Sequence, residues 1–521
     1  MNDENPPDRD SETSRSRETD RGDTGGRSLY RHPLAAVGGA LILAGFFALV
    51  VLVAVDLSTR ASNPYRSLIT FVAAPAVILI GVIVFLVGVR VQIARARSSG
   101  EKVRFHLRVE PTDPHFRRHL WLFAGLSLSF VAVVAYSGFQ AFEATDSVTF
   151  CADTCHTPME PQAVAHQESA HARVDCVECH IGSGGTSWAK AKVNGIRQLW
   201  AVLTGEFDRP IHSPAATLRG ADELCEGCHW SEDFKGQKFI DATHYLTDEA
   251  NSPWTVSLLV NVGGGPEDGV REGIHWHMFE KNKMEYIATD DQRQEIAWVR
   301  VTDPDGTSVV YADPQGAPDP ADPNIEVRSF DCLDCHNRPS HVFESPGHLM
   351  DLEMARALIN PDLPFIKRVG LDLLNAAYQT KEEGVTAIRT GLFDYYEANY
   401  PEQAEESRAD LEAAADALVD IYKTNFFPEM NSDYRVRFNN ASHFVSDGCF
   451  RCHFSDLETD GGNQISASCE TCHVIVGQGP SDDPSELTTN LGGLEFRHPV
   501  DIGRIWQQIP CTQCHSPYSG Y

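Results

Sequence analysis

The first 150 of the chain's 521 residues contain no cysteine, although 14 cysteines follow. That absence excludes disulfides, thiolate metal sites and thioether attachments from the N-terminal part. Residues 1–30 also nearly lack large apolar side chains and are rich in Asp, Glu, Arg and Ser. Such a segment cannot bury enough surface to offset its chain entropy, so a disordered tail is expected. Three later stretches, 33–55, 68–89 and 120–142, lack Asp, Glu, Lys, Arg and His altogether. Each is about twenty residues long, enough to cross a hydrocarbon layer of roughly 30 Å as a helix. With His32 and His119 only at the ends of these runs, they offer no ligand for a haem b within the bilayer and no proton path across it. They read as an anchor and can also form one wall of a site for a lipid-soluble substrate. Beyond residue 142 positive charge is scarce, with 27 Lys and Arg against 61 Asp and Glu. This excludes nucleic acid and acidic partners. The acidic field suits recruitment of a basic protein partner, attenuated by salt. Solubility, or a high-salt habitat, explains it equally simply.

Loop charge sets the orientation. Between the second and third runs lie Arg95, Arg97, Lys102, Arg104, Arg108, Arg117 and Arg118, whereas the first loop carries only Arg60 and Arg66. The middle loop and the N-terminus are therefore expected in the cytoplasm, and everything beyond residue 142 outside it. No small-residue cleavage site follows the first run, which reads as an uncleaved signal anchor. A bacterial inner membrane with a periplasmic or other extracytoplasmic domain is the expected setting.

The cysteines come in seven pairs, each followed directly by histidine. They are Cys151 and Cys155 before His156, Cys176 and Cys179 before His180, Cys225 and Cys228 before His229, and Cys332 and Cys335 before His336. Cys449 and Cys452 before His453, Cys469 and Cys472 before His473, and Cys511 and Cys514 before His515 complete the set. Six read Cys-x-x-Cys-His, and the first has one extra residue. With 21 histidines in 521 residues, seven such coincidences have a chance on the order of 10⁻¹⁰, which points to covalent haem c. Two thiols add to the two vinyl groups along one porphyrin edge, and the adjacent histidine reaches the iron. Zinc would need pairs gathered in fours, and disulfides would leave the histidines unexplained.

Seven irons want distal ligands. Ten other histidines follow residue 142: His166, His171, His212, His244, His275, His277, His341, His348, His443 and His498. The supply matches bis-histidine ligation of about seven haems. His171, His341, His443 and His498 lie close in sequence to motifs, and His212 and His244 flank the third. In "IHWHM", an extended strand would put His275 and His277 on one face, so one of them is expected as a ligand. His166 and His348 are the expected non-ligands. Met159, three residues after His156, is either a ligand that raises the first haem's potential or an ordinary apolar contact.

The expected architecture is a membrane-anchored multihaem cytochrome c: three transmembrane α-helices and a mostly α or irregular domain around seven haems, with a small β insert. Its parts are the tail 1–30, the anchor 31–142, a three-haem segment 143–230, a β-rich insert 231–330 and a four-haem helical segment 331–521. The insert is marked by alternation in "WTVSLLVNV", "EIAWVRV" and "TSVVYA". Helical spacing in "RADLEAAADALVDIYKTNFF" marks the last segment. Porphyrin is expected to supply much of the core, so the haem-free chain is not expected to fold. In "SWAKAKVNGIRQLWAVLTG", Trp188, Ile196, Trp200 and Leu203 share one side, as on a helix at the lipid surface or one packed on haem.

The stretches "CHTPM", "SAHARVDCVECHIGSGG", "WAKAKVNGIRQLW" and "LCEGCH" resemble the NapC/NirT-type membrane-anchored quinol dehydrogenases. The resemblance covers about 145–230. It implies a quinol-side first haem, with Met159 matching the family methionine one position displaced. It also implies a quinol-contacting lysine at Lys190 or Lys192. Typical members have one span and four haems. The larger architecture resembles the heptahaem inner-membrane cytochromes of metal-respiring bacteria. Together these imply a menaquinol dehydrogenase that feeds a periplasmic c-type cytochrome. The first haem, only nine residues past the third apolar run, would lie at the outer membrane surface. Two other readings remain: an electron-relay subunit without a quinol site of its own, and a multihaem terminal reductase. Sufficient histidine ligands argue against the open iron that a reductase needs.

Overall fold

The computed structural model describes residues 32–58, 74–98, 114–154, 156–181, 185–213, 220–230, 234–263, 273–278, 283–483 and 485–515. The expected tail, the basic residues between 99 and 113, the first loop and Cys155 lie outside these. The chain divides into two compact units, Met1–Thr145 and Asp146–Tyr521.

In the first unit the apolar runs form helices α1 (Pro33–Ser58), α2 (Ala74–Ser98) and α3 (Pro114–Asp146). Two stretches among the described residues, Pro33–Leu52 and Ala74–Arg95, are long and apolar enough to cross a membrane. The third expected run lies within the 33 residues of α3, whose side chains are described only in part. Helices α1 and α2 meet through small residues. A Cβ on Gly38 would stand 2.4 Å from the Phe85 nitrogen, and one on Gly88 would stand 2.4 Å from the Ala35 nitrogen. Glycines at such points let backbones approach closely, which in lipid replaces the hydrophobic driving force.

The second unit builds two antiparallel sheets. One runs β1 (Gln237–Tyr245), β2 (Pro253–Asn261), β7 (His473–Pro480), β8 (Thr488–Thr489). The other runs β5 (Ser308–Ala312), β4 (Ile296–Thr302), β3 (Lys283–Ala288), β6 (Arg328–Ser329). The three alternating stretches form β2, β4 and β5. The β region is nevertheless not a self-contained insert. Strand β7 starts at the histidine of the sixth motif and pairs with β2, Val260 opposite His473. One sheet thus joins residues some two hundred positions apart and places the sixth motif against the 231–330 region.

The longer helices of the unit are α4 (His156–Gln167), α5 (Gly185–Thr204), α6 (Pro346–Ala355), α7 (Ile366–Asn375), α8 (Lys381–Asn399) and α9 (Arg408–Asn425). Around α6–α9 the expectation of a porphyrin-dominated core needs correcting. Met350, Leu374, Ile388, Leu392, Leu411 and Leu418 are fully buried among one another, an ordinary side-chain core of high packing density. The spacing that marked α9 also specifies this core. Gly384 on α8 lies under the buried Tyr422 ring, and a Cβ there would stand 2.3 Å from it. Tyr422 is pinned by stacking on Phe426 at 5.2 Å. Gly384→Ala is expected to cost about 1–3 kcal/mol by overpacking, read as a lower thermal midpoint of the detergent-solubilised protein.

Candidate haem centres

The Cys-x-x-Cys-His motifs fold as single tight turns. In the third, fourth, fifth and seventh, the histidine N–H donates to the carbonyl of the first cysteine: His229 to Cys225 at 2.8 Å, His336 to Cys332 at 2.8 Å, His453 to Cys449 at 3.0 Å and His515 to Cys511 at 2.8 Å. One helical turn brings residues i and i+3 to one side, so both sulfurs face one edge and the histidine projects beside them. The fourth motif is capped reciprocally. Asp331 accepts from the Leu333 N–H at 2.7 Å, and Asp334 accepts from the Asp331 N–H at 2.7 Å. In the first motif, Phe150–Thr154 forms a π-helical turn. A π turn takes in one more residue than an α turn, which gives the longer first spacing a local physical basis.

Six motif histidines each face another histidine, centroid to centroid. His180 faces His341 at 6.2 Å, His229 faces His171 at 6.1 Å, and His336 faces His275 at 6.4 Å. His453 faces His277 at 5.9 Å, His473 faces His443 at 6.0 Å, and His515 faces His498 at 6.1 Å. A metal–imidazole bond is roughly 2 Å long, and each ring centre lies about 1 Å behind its nitrogen. Two imidazoles on one iron therefore have centroids on the order of 6 Å apart.

The ring nitrogens fit as well. Nδ1 donates to a backbone carbonyl in His171 (Pro339, 2.9 Å), His275 (Val262, 3.0 Å), His277 (Ile274, 2.7 Å), His341 (Gln162, 3.1 Å) and His453 (Ser466, 2.8 Å). This leaves Nε2 for a metal, the usual arrangement of a ligating histidine. Burial keeps His180, His277, His336, His443, His473 and His515 below the usual imidazole range. Burial, aided by His180, pushes His341 down to about 4. The neutral imidazole with its lone pair is the form that binds metal. Among the described residues no three His, Cys, Asp or Glu converge as a zinc site would require. The donor set fits haem c.

The remaining expected residues are placed as follows. His166, 5% exposed, lies 6.3 Å from His341, but its Nε2 donates to the Val174 carbonyl at 2.9 Å and is not free for iron. His348 and His212 are exposed. His244 donates through Nδ1 to Asp351 at 3.1 Å, and its ring stacks at 6.2 Å on Phe444, with Phe444 4.6 Å from His515. The backbone of His156 opens α4, but its side chain lies outside the described residues. Met159, half-buried, is one turn further along α4. Lys190 is exposed on α5, and Lys192 pairs with Asp146. Lys190, Val193, Asn194 and Arg197 share one open face of α5. Of the expected α5 stripe, Ile196, Trp200 and Leu203 are 65–73% exposed, and Val193 joins them at 69%. The side chain of Trp188 lies outside the described residues.

Sequence proximity misleads about pairing. His341 lies near the fourth motif yet faces the second, and His171 precedes the second yet faces the third. His275 and His277 sit on a 3-10 turn, Ile274–Met278, rather than on an extended strand. Successive residues then point about a third of a turn apart, so each ring faces a different motif.

The family described as NapC/NirT cytochrome c, N-terminal region, matches residues 116–238. The chain is similar to the cytochrome c-type protein ImcH of Geobacter sulfurreducens, 37% identical over 93% of this chain and 95% of that protein. It is also similar to the cytochrome c-type protein NrfH of Wolinella succinogenes, 30% identical over 18% of this chain and 54% of that protein. No solved structure matches the chain. A full-length relative, a matching N-terminal family region and seven paired-cysteine motifs converge: the chain belongs to the membrane-anchored multihaem cytochromes c of the NapC/NirT type, which are electron-transfer proteins.

Proposed function

We propose that this protein is a quinol dehydrogenase, with menaquinol as the natural substrate, of the bacterial inner membrane. It passes electrons through seven covalently held haems to a periplasmic c-type cytochrome. Three spans anchor it, and residues beyond 142 face outward. The observation that carries the reading is the run of six histidine pairs from the second motif to the seventh, following a first motif nine residues from an apolar run. Motifs consecutive in sequence lie side by side, as a conducting file requires. Cys151 of the first lies beside Cys176 of the second, and Cys225 of the third beside Cys332 of the fourth. The Arg451 guanidinium of the fifth motif donates to the Asp334 carbonyl of the fourth at 2.6 Å.

Bound haem supplies one-electron chemistry between a two-electron quinol and one-electron acceptors. The chain's own residues do the rest. Met159 would complete the first iron, and Lys190 or Lys192 would hold a quinol hydroxyl oxygen. Each quinol oxidised gives up two electrons to the protein and two protons to the outside. The NapC/NirT match over 116–238 supports the quinol side, and similarity to ImcH over nearly the whole chain supports an extended haem domain. The test is anaerobic addition of a menaquinol analogue to purified protein while the haem α-band is followed. Growth of the band is expected. No growth, with dithionite still reducing every haem, would remove the quinol assignment.

A further inference from the structure

We propose that distal ligation crosses between segments: His341 completes the haem of the second motif, His275 the fourth, His277 the fifth and His443 the sixth. This requires haem attachment but not quinol oxidation, so either can fail without the other. The geometry is specific where two histidines compete. His341 faces His180 at 6.2 Å, whereas His166 packs against His341 itself, at 6.3 Å. Their nitrogens do not agree. His341 donates Nδ1 to the Gln162 carbonyl, which leaves Nε2 for iron, whereas His166 donates Nε2 to the Val174 carbonyl and has only Nδ1, next to its own backbone, to offer.

The consequence is a clasp. Residues 337–341 leave the fourth motif and return to the second site through His341. On the way, the Pro339 carbonyl orients His171, the partner of His229. Asn337 accepts the Asn440 N–H at 2.9 Å and donates to the Phe438 carbonyl at 2.9 Å, fixing the base of this loop. Five residues thus couple three haem sites. The 274–278 turn acts likewise, since His275 and His277 face the fourth and fifth motifs from neighbouring positions. Iron ligation therefore binds the N-terminal three-haem segment to the C-terminal one and aligns the sites in between.

The test compares His341→Met with His166→Met in the full-length haem-loaded protein. Methionine keeps a ligand at the iron but raises its potential. His341→Met is expected to convert one of the bis-histidine haems, so that about one-seventh of the α-band titrates at higher potential and one low-spin resonance signal is replaced. His166→Met should leave the titration and the spectrum unchanged. A shift on His166→Met, or none on His341→Met, would overturn the assignment. Should His341→Met fail to accumulate, the unaltered protein decides. Its near-perpendicular pairs, His171–His229 at 79° and His277–His453 at 88°, should give strongly anisotropic low-spin signals. Its near-parallel pairs, His275–His336 at 12° and His443–His473 at 19°, should give rhombic ones. A resonance spectrum with only one of these classes would contradict the pairing.

Discussion

Replacing Cys332 and Cys335 together by alanine is expected to lower the amount of full-length protein by roughly tenfold or more, because here metal-site formation is coupled to folding. The fourth motif is a hub. Its Asp334 is buried and accepts the Tyr286 hydroxyl at 2.5 Å, while its backbone carbonyl accepts Arg451 from the fifth motif and Asn440 at 3.2 Å. His336 faces His275, which itself stacks on Phe234 at 4.5 Å. Without thioether bonds these groups line a pocket with nothing to fill it, and the clasp from 337 to 341 loses its anchor. Removing a prosthetic group held at the junction of several elements ranks with the most destabilising changes known. The helical core around Met350, Leu392 and Leu418 is packed from apolar side chains, so a protease-resistant fragment over α6–α9 should outlast the rest. Haem staining alongside immunoblotting of membranes checks both expectations.

The second large effect concerns the lysines. Lys190→Ala combined with Lys192→Ala should slow quinol-driven haem reduction by roughly tenfold or more in kcat/KM, a transition-state loss of at least about 1.4 kcal/mol. Reduction by dithionite should be unaffected. The two residues differ in environment. Lys190 is exposed on the open α5 face it shares with Val193, Asn194 and Arg197, whereas Lys192 is tied to Asp146. A lysine free to meet a ligand loses less by leaving water than one that must first abandon a carboxylate. Lys190→Ala alone should therefore account for most of the double variant's effect. Stopped-flow reduction with a menaquinol analogue, each variant beside the parent, measures it. Unaltered kinetics in the double variant would favour a relay subunit fed by a protein donor.

Much of the architecture was legible because it rests on local chemistry. The apolar runs at 33–55 and 68–89 announce α1 and α2, since a single segment of this length satisfies its own backbone in lipid only as a helix. The alternation in "WTVSLLVNV" announces β2, and the spacing in "RADLEAAADALVDIYKTNFF" announces α9. Each paired cysteine with its histidine was evident from seven residues or fewer. What remained hidden is long-range. That β7 would pair with β2 follows from contacts more than two hundred residues apart, which no local periodicity encodes. The pairing of His341 with His180 is hidden for the same reason. The two histidines of "IHWHM" are redundant on an extended strand but not on the 3-10 turn Ile274–Met278. The extra residue of the first motif had no evident purpose until Phe150–Thr154 took a π turn.

The central claim is that seven porphyrins are bonded to one polypeptide. Intact mass of the purified chain under denaturing conditions tests it most directly, because thioether bonds survive where axial ligation does not. The account predicts a single species carrying seven haem additions, with no cysteine left to react with a thiol reagent. Fewer than seven additions, with matching free thiols at any of the seven motifs, would contradict it.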